Sequence, residues 1–347
     1  MVQRTDPEVK KTILESWLRN KLPSAENISV SQMEKAAGGY GSEIHFFDLT
    51  WQKDGQVGKE GLVIREEPKE FRVFHRYHTA REFAIMKSLQ DSDVPVPKTY
   101  WLETDESVLG APFYIMGRVD GEILDPQQFG DEPSGPLYEA GPEGRRRLYE
   151  QALEVISRIH KVDLTELGIT YEGAPRSGLD AIDQQIGFYK EMADWIEFEP
   201  RSMISRAFDW FEKNKYEPER MSLCWGDTRL GNLIYHDGEI VAVIDWDMTH
   251  IGVAETDLAY FLTIDWLTGD SGLRGPRWEG VPGREEIIQL YESSAGKKLE
   301  NLFYNEAFAL LKISLAFYRV VKSMPGVPPE FIPENPLLDR LSAMLRL

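Results

Sequence analysis

The sequence has little cysteine, no long apolar run and a deficit of positive charge. Cys224 is the only cysteine among 347 residues, which excludes an intramolecular disulfide. No apolar stretch approaches the roughly eighteen residues that a membrane-spanning helix needs. The polar start at residues 1–6 lacks the apolar core of a signal peptide. We therefore expect a cytoplasmic protein that does not bind a membrane.

The charge balance makes nucleic acid an unexpected partner. The chain has 39 basic and 58 acidic residues, for a formal net charge of −19. Nucleic-acid affinity comes largely from Lys and Arg side chains that displace counterions, and this chain has an acidic excess. A length of 347 residues with 42% hydrophobic content predicts two globular domains. Nothing in the sequence implies a protein partner.

Three oxygen-bearing side chains form the most informative pattern in the chain. Asp227 and Asn232 are five positions apart, and Asp245 ends the apolar strand that follows them. Phosphoryl transfer needs a carboxylate that positions the acceptor, an oxygen ligand for Mg²⁺, and a second carboxylate that bridges the metal to ATP. The pattern therefore predicts a catalytic role for Asp227, Mg²⁺ ligands at Asn232 and Asp245, and ATP as the co-substrate.

The segment between the two predicted metal ligands favours a β-hairpin. Asp237–Gly238 is a strong tight-turn signal between two apolar runs. Such a hairpin brings the strand end at Asp245 back beside Asn232. Arg229 lies two residues after the predicted catalytic aspartate, where its charge could neutralise the transferring phosphoryl group. A surface arginine on a loop explains that residue equally well.

The first third of the chain predicts a five-stranded antiparallel sheet with helices. The strand-like runs are 28–33, 44–49, 61–65, 98–102 and 112–116. A helix is predicted before the sheet, with Asp6 as its N-cap, and another over residues 77–89. The rest of the chain favours helices at 144–161, 178–211 and 284–321, with loops at 131–144 and 268–283.

A glycine-rich turn joins the first two predicted strands. The residues are Gly38, Gly39, Gly41 and Ser42. Glycine permits positive φ and a close approach of the backbone, so such a turn can lay N–H groups over a polyphosphate. An ordinary hairpin loop is the alternative interpretation.

Further nucleotide contacts are predicted around the sheet. Arg65 ends the third strand and could reach the α- and β-phosphates, while Glu82 is the best-placed acid to hold it in an ion pair. A solvated arginine and a solvated glutamate are the alternative. Backbone groups of Met116, Gly117 and Val119 could pair with the edge of adenine, although a plain loop fits that segment equally well.

The whole chain resembles the aminoglycoside phosphotransferase family, or phosphotransferase enzyme family, a small-molecule branch of the protein-kinase-like fold. The motifs that carry the resemblance are the glycine-rich turn, Arg65, Arg81-Glu82-Phe83, Val94-Pro95-Val96-Pro97, Pro112-Phe113-Tyr114-Ile115-Met116, the loop from Trp225 to Asn232, Ile244-Asp245-Trp246 and Asp257-Leu258-Ala259-Tyr260. The resemblance implies an α+β, bilobal protein-kinase-like fold. Its nucleotide-binding lobe would span 1–117, and a mainly helical catalytic and substrate-binding lobe would span 118–347. It also implies the catalytic and metal-binding roles given above, and a brace under the catalytic loop at Asp257.

The chain is also similar to kinase-like domains fused to acyl-CoA dehydrogenases, which act on hydroxyacyl substrates. The resemblance therefore implies a small-molecule acceptor with a hydroxyl group, either aminoglycoside-like or hydroxyacyl-type, and leaves the choice between them open. A protein acceptor is not favoured, because Asp257 follows Asp245 by only twelve residues and leaves little room for a peptide-binding activation segment. The preference for ATP over GTP is also open.

Two positions depart from the family pattern. Trp225 stands where the family has a histidine before Gly-Asp, and Arg65 stands where kinases have a lysine. A tryptophan cannot reproduce the hydrogen bonds of that histidine, so packing is expected to replace them. Arginine keeps the charge and suits phosphate well. His160 ends a predicted helix and is interpreted as structural, because no partner cluster surrounds it in the sequence.

Two other functions remain as alternatives. The departures at Trp225 and Arg65 would suit a nucleotide-binding pseudokinase or regulatory module. Residues 241–249 also fit the strand-then-D-x-D-x-T pattern of haloacid-dehalogenase-like phosphatases, in which Asp245 would be the nucleophile. Those phosphatases place the pattern on a doubly wound sheet, and the segment from Asp227 to Asn232 would then have no role.

Overall fold

The computed structural model describes residues 7–36, 42–124, 135–270, 277–324 and 335–347. The chain divides into two compact units. The first contains residues 1–90 and 97–119, and the second contains residues 91–96 and 120–347. Asp6 and the turn glycines Gly38, Gly39 and Gly41 lie outside the described residues.

The first unit is an antiparallel sheet with helices. Its elements are α1 (Pro7–Lys21), β1 (Glu26–Val30), β2 (Glu34–Lys35), β3 (Glu43–Lys53), β4 (Gln56–Glu66), α2 (Thr79–Leu89), β5 (Thr99–Glu103), α3 (Glu106–Leu109) and β6 (Phe113–Gly117). The strands follow the order β1-β3-β4-β6-β5, and β2 pairs with β3. Within the described residues the sheet therefore contains the five predicted strands and a sixth, two-residue strand that the sequence did not predict.

The hairpin of β3 and β4 forms the centre of this sheet. Asp54 and Gly55 connect the strands with φ angles of 52° and 77°, the positive values that a two-residue Asp-Gly turn requires. Alternate side chains then face one side of the sheet, and there they pack against α1. The buried cluster includes Leu14, Leu18, Phe47, Leu49, Leu62 and Ile64. Burial of these apolar side chains fixes the register of the hairpin.

The end of β4 holds two buried charged residues. Arg65 and Glu66 are consecutive, so their side chains leave opposite faces of the strand. Glu66 accepts hydrogen bonds from Lys10 at 2.6 Å and from Lys69 at 3.1 Å. The sequence did not predict this ion-paired cluster, because Lys10 is 56 residues away from Glu66 in the chain.

The second unit is mainly helical, as predicted. Its elements are β7 (Glu122–Ile123), α4 (Pro136–Glu139), α5 (Gly141–Lys161), α6 (Gly178–Trp195), α7 (Arg201–Lys213), β8 (Ser222–Cys224), β9 (Leu233–His236), β10 (Glu239–Val243), β11 (His250–Gly252), α8 (Ala254–Gly269), α9 (Arg284–Ala295), α10 (Leu302–Ser323) and α11 (Pro336–Leu345). The strands form the antiparallel groups β10-β9-β7 and β11-β8. Among the described helices, none is long and apolar enough to cross a bilayer.

Three predicted segments differ in the structure. The single helix at 178–211 is two helices, because Glu197 adopts a φ of 52° and Pro200 disfavours helical backbone before it. The helix at 284–321 is also two helices, since α9 ends at Gly296 with a φ of 73°. The predicted loop at 131–144 contains α4 and the start of α5, where Pro142 fits the first turn.

Candidate active site

The β9–β10 hairpin brings two predicted site residues together. Leu233 pairs with Val243 at its open end, and the turn residues Asp237 and Gly238 have φ angles of 49° and 87°. Beyond the last pair, the N–H of Ile244 donates to the backbone oxygen of Asn232 at 3.0 Å. Asp245 therefore follows directly on the residue that is bonded to Asn232, as the turn signal predicted.

The carboxylate of Asp227 is held by two hydrogen-bond donors and interacts with a third side chain. Nδ2 of Asn232 donates to Asp227 Oδ2 at 2.7 Å and also to its backbone oxygen at 3.0 Å. Nε of Arg229 donates to the same Oδ2 at 3.1 Å. The Tyr260 hydroxyl, on α8, interacts with the same carboxylate. These bonds fix the direction of the side chain, which is the requirement for a residue that orients an acceptor hydroxyl.

Arg229 lies within the field of both carboxylates. Burial alone would lower the pKa of Arg229, but Asp227, Tyr260 and Asp245 together hold this pKa above its usual value. Its side chain is 26% exposed and ion-paired. The arginine is therefore ion-paired with the predicted catalytic aspartate, and its contact with a phosphoryl group stays a prediction.

Asp257 braces the loop that carries Asp227. Its carboxylate accepts the N–H of Trp225 at 2.6 Å and the N–H of Gly226 at 3.0 Å. Nε2 of His160 lies 3.1 Å from the same carboxylate. Burial alone would raise the pKa of Asp257, but the hydrogen bond and charge of His160, aided by His250 and the Trp225 N–H, hold this pKa below its usual value. The brace therefore has the geometry that the family resemblance implied.

His160 has partners that the sequence did not reveal. Its Nδ1 lies 2.7 Å from the Tyr291 hydroxyl, and its Nε2 faces Asp257. The structural interpretation of this residue agrees with these contacts. The sequence showed no partner cluster around His160, because its partners lie 97 and 131 residues away in the chain.

Trp225 contributes hydrogen bonds as well as packing. Its indole Nε1 donates to the backbone oxygens of Ile244 at 2.9 Å and Asp245 at 3.2 Å. The expectation that packing alone replaces the family histidine was therefore wrong. The indole ties the loop of Asp227 to the segment of Asp245. The next residue, Gly226, has a φ of 98°, and a Cβ there would lie 2.4 Å from the Met248 oxygen, so only glycine fits.

Trp225→Phe tests this link. Phenylalanine keeps most of the ring but leaves two partly buried carbonyl groups without their indole donor, so we expect the free energy of unfolding to fall by about 1–3 kcal/mol. Urea denaturation followed by circular dichroism measures the change.

Trp210→Phe is the matched control for that experiment. The Trp210 ring packs against Phe211 and Tyr304, and within the described residues its indole makes no hydrogen bond. A loss at Trp225 no larger than the loss at Trp210 would mean that the indole bonds contribute nothing beyond packing.

The donor set suits a hard divalent cation. The Asn232 amide nitrogen faces Asp227, so its side-chain oxygen is the atom left for a metal. Asp245 supplies a carboxylate, and oxygen ligands of this kind are the ones that Mg²⁺ prefers. Asp245 also has a φ of 61°, a left-handed conformation that is strained for a residue with a side chain. Strain of this kind is concentrated at functional sites.

The first unit contains the predicted nucleotide contacts. Nε of Arg65 lies 3.4 Å from Oε2 of Glu82, and both side chains are buried, so the alternative of two solvated residues is wrong. Ser42 is half-buried. The N–H of Gly117 donates to the Lys98 oxygen at 2.7 Å inside the sheet. This N–H cannot also pair with adenine, which corrects part of the prediction for Met116, Gly117 and Val119.

A family model described as the phosphotransferase enzyme family matches residues 56–291. The chain belongs to this family. It is therefore a small-molecule phosphotransferase, and the predicted α+β, protein-kinase-like fold is confirmed by solved structures. A Ralstonia eutropha protein that carries the name of an aminoglycoside phosphotransferase aligns with a TM-score of 0.68 at 23% identity, covering 96% of this chain and 98% of that one.

Two further comparisons bear on this phosphotransferase. A thermostable mutant of aminoglycoside phosphotransferase APH(4)-Ia, solved with ADP and hygromycin B, aligns with a TM-score of 0.55 at 17% identity over 96% of this chain and 98% of that one. The mouse (Mus musculus) acyl-CoA dehydrogenase family member 10 is 31% identical over 275 residues, which cover 77% of this chain. The match spans only 24% of the mouse protein's length.

Two neighbouring side chains near the end of α8 in this phosphotransferase, Asp265 and Trp266, have partners within the second unit. Asp265 accepts hydrogen bonds from Tyr149 at 2.8 Å and from Arg277 at 2.7 Å, and the Arg340 guanidinium lies 4.2 Å from the ring centroid of Trp266. These side chains serve packing and ion pairing within the second unit.

Proposed function

We propose that this phosphotransferase transfers the γ-phosphoryl group of MgATP to a hydroxyl group of a small molecule. The observation that supports this most strongly is the arrangement of Asp227, held by Asn232 and Arg229 beside the hairpin that leads to Asp245. A carboxylate fixed in this way can orient a hydroxyl in line with phosphorus. Positioning and electrostatics supply most of the catalysis in such reactions.

The proposed step forms one bond and breaks one bond. The acceptor oxygen bonds to the γ-phosphorus, and the bond from that phosphorus to the bridging oxygen of ADP breaks. The hydroxyl proton passes to Asp227, and it passes late, because an aspartate carboxylate is a weak base. Arg229 supplies positive charge to the phosphoryl group during transfer.

The remaining candidate residues form two groups with separate proposed roles. In the first, Gly38, Gly39, Gly41 and Ser42 would contact the phosphates, and Arg65, held by Glu82, would neutralise them. Met116 and Val119 would contact the base. In the second, the Asn232 oxygen and the Asp245 carboxylate would hold Mg²⁺, which offsets charge on the phosphates.

Removal of Mg²⁺ is expected to stop the reaction. With EDTA in excess, we expect the rate of ADP formation to fall by about 10² or more, because a bound metal stabilises the transition state by several kcal/mol. Readdition of Mg²⁺ should restore the rate, and added Ca²⁺ should restore less of it, since its coordination is looser. Full turnover in EDTA would contradict the metal assignment.

The acceptor belongs to one of two classes. Hydroxyacyl thioesters are favoured by the identity with acyl-CoA dehydrogenase family member 10, and aminoglycosides by the fold neighbour solved with hygromycin B. An ATP-consumption screen across hydroxyacyl-CoAs, aminoglycosides, macrolides, sugars and choline-like alcohols separates the two classes. ³¹P NMR of the product identifies the new phosphate ester, and GTP in place of ATP tests the nucleotide preference.

The alternative functions have less support. The features that suggested a pseudokinase are Trp225 and Arg65, yet the first makes two hydrogen bonds to the hairpin and the second is ion-paired with Glu82. The phosphatase alternative needs a doubly wound parallel sheet, whereas every strand pair among the described residues is antiparallel. Thr249 of that pattern instead donates to the Cys224 oxygen at 2.9 Å.

A further inference from the structure

Lys312 is a buried lysine that none of the proposed roles uses. It lies on α10 with 2% of its surface exposed. Within the described residues its ammonium group has no hydrogen-bond partner. Burial of an ammonium group without such a partner is costly, so a lysine at this position needs a reason.

Three aromatic rings surround the ammonium group. Its nitrogen lies 5.5 Å from the ring centroid of Tyr189, 5.7 Å from that of Tyr260 and 6.0 Å from that of Phe308. A cation within about 6 Å of an aromatic face is attracted by the ring quadrupole, and more strongly when water is absent. The rings belong to α6, α8 and α10, so the charge lies at a junction of three helices.

This junction adjoins the catalytic loop. Tyr260 faces Lys312 with its ring, and its hydroxyl interacts with the Asp227 carboxylate. Burial lowers the pKa of Lys312, while Asp257, Cys224 and Asp227 act in the opposite direction. The two carboxylates that attract the Lys312 charge are therefore Asp257, which braces the catalytic loop, and Asp227, which the loop carries.

We propose that Lys312 is a positioning residue for phosphotransfer, whose charge acts on Asp227 through Tyr260 and directly on Asp257. The inference rests on the proposed function. The cation fixes the Tyr260 ring, and the ring fixes the hydroxyl that interacts with the Asp227 carboxylate. The Lys312 charge also offsets part of the repulsion between the Asp227 and Asp257 carboxylates.

A structural role predicts the opposite pattern of effects. If Lys312 only fills space, an apolar side chain of similar length should serve as well or better, because replacement of buried charges by apolar groups is often neutral or stabilising. Met has nearly the same shape and no charge. Stability and catalysis therefore separate the two roles.

The test measures Lys312→Met by steady-state kinetics and thermal unfolding. We expect kcat to fall about tenfold, because the variant loses the charge that holds Tyr260 and attracts the Asp227 and Asp257 carboxylates. KM for ATP should stay unchanged, and Tm should stay the same or rise. Lys322→Met is the matched control on the same helix, with a side chain 38% exposed, and its kcat should equal that of the wild type.

A double-mutant cycle with Tyr260→Phe gives a second measure. The phenylalanine keeps the ring but removes the hydroxyl, so kcat should fall. Because Lys312 acts partly through this hydroxyl, the double variant should lose less than the product of the two single losses. Independent, multiplicative losses would overturn the route through Tyr260.

Two further results would also overturn the proposal. One is a Lys312→Met variant whose kcat lies within about twofold of the wild type, and the other is a joint fall of kcat and Tm. Failure of the proposed function has a different signature. A wild-type protein that neither binds MgATP nor phosphorylates any acceptor of the screen would overturn both, whereas an active wild type with an equally active Lys312→Met variant overturns the inference alone.

Discussion

Asp227→Asn is expected to lower kcat by about 10²–10⁴-fold with a far smaller effect on nucleotide affinity. Asparagine keeps an oxygen that can still accept a hydrogen bond from Asn232 or Arg229, so the loop should hold its shape. The amide carries no charge and cannot take the acceptor proton. The loss therefore falls on the transition state, which is why kcat and kcat/KM should decline together.

Asp237→Asn provides the control for that variant. Asp237 lies at the tip of the β9–β10 hairpin, with a side chain 91% exposed and a φ of 49°. Asparagine tolerates this conformation well. The substitution makes the same chemical change without touching the site. Wild-type turnover by the Asp227 variant, with the acceptor identified by the screen, would remove the catalytic assignment.

Asp257→Asn is expected to cost about 3–5 kcal/mol of unfolding free energy, the usual effect of breaking a buried, paired charge. The carboxylate accepts from two backbone N–H groups and faces His160. An asparagine would turn an NH₂ group toward one of these donors. Because natural domains have only about 5–15 kcal/mol in total, the variant should also lose activity as its catalytic loop becomes mobile.

A milder variant covers the case in which Asp257→Asn does not fold. His160→Gln keeps a donor beside the carboxylate and removes the ring, so we expect a loss of about 1–3 kcal/mol. Glu150→Gln is the control, since it breaks an exposed i,i+4 ion pair with Arg146 that contributes about 0–1 kcal/mol. Equal losses from the exposed pair and the buried brace would contradict the bracing role.

The pH dependence of stability gives a further measure of this brace. The folded protein holds the pKa of Asp257 below its usual value, so the unfolded chain binds its proton first as the pH falls. Its stabilising contribution is complete above the unfolded-state pKa of about 3.9 and is lost below it. The stability of Asp257→Asn should therefore decline less steeply than that of the wild type in this acid range.

Local patterns predicted the elements that local chemistry controls. The Asp237–Gly238 pair forms the tight turn that it predicts, because positive φ depends on the residue itself. The spacing of Asn232 and Asp245 predicted that the hairpin would bring them together, since a short hairpin determines where its end returns. Helix ends were predicted less well, as the break between α6 and α7 demonstrates.

Sequence patterns did not predict the contacts between residues that are distant in the chain. Neither the ion-paired cluster at Glu66 nor the contact of His160 with Asp257 has a local signal, because each joins residues more than fifty positions apart. The indole bonds of Trp225 were also missed. A family comparison shows which residue type is unusual, but only coordinates show where its N–H points.

The sequence by itself determined the chemistry of the candidate site: two carboxylates, one amide and one guanidinium at spacings that a hairpin can gather. Only the tertiary structure decided what supports them. Asp257, His160, Tyr260 and Lys312 come from three different helices, and helical periodicity predicts which side chains are buried without specifying their partners. The packing of whole elements makes that choice, because it depends on the fit of surfaces that are far apart in the chain.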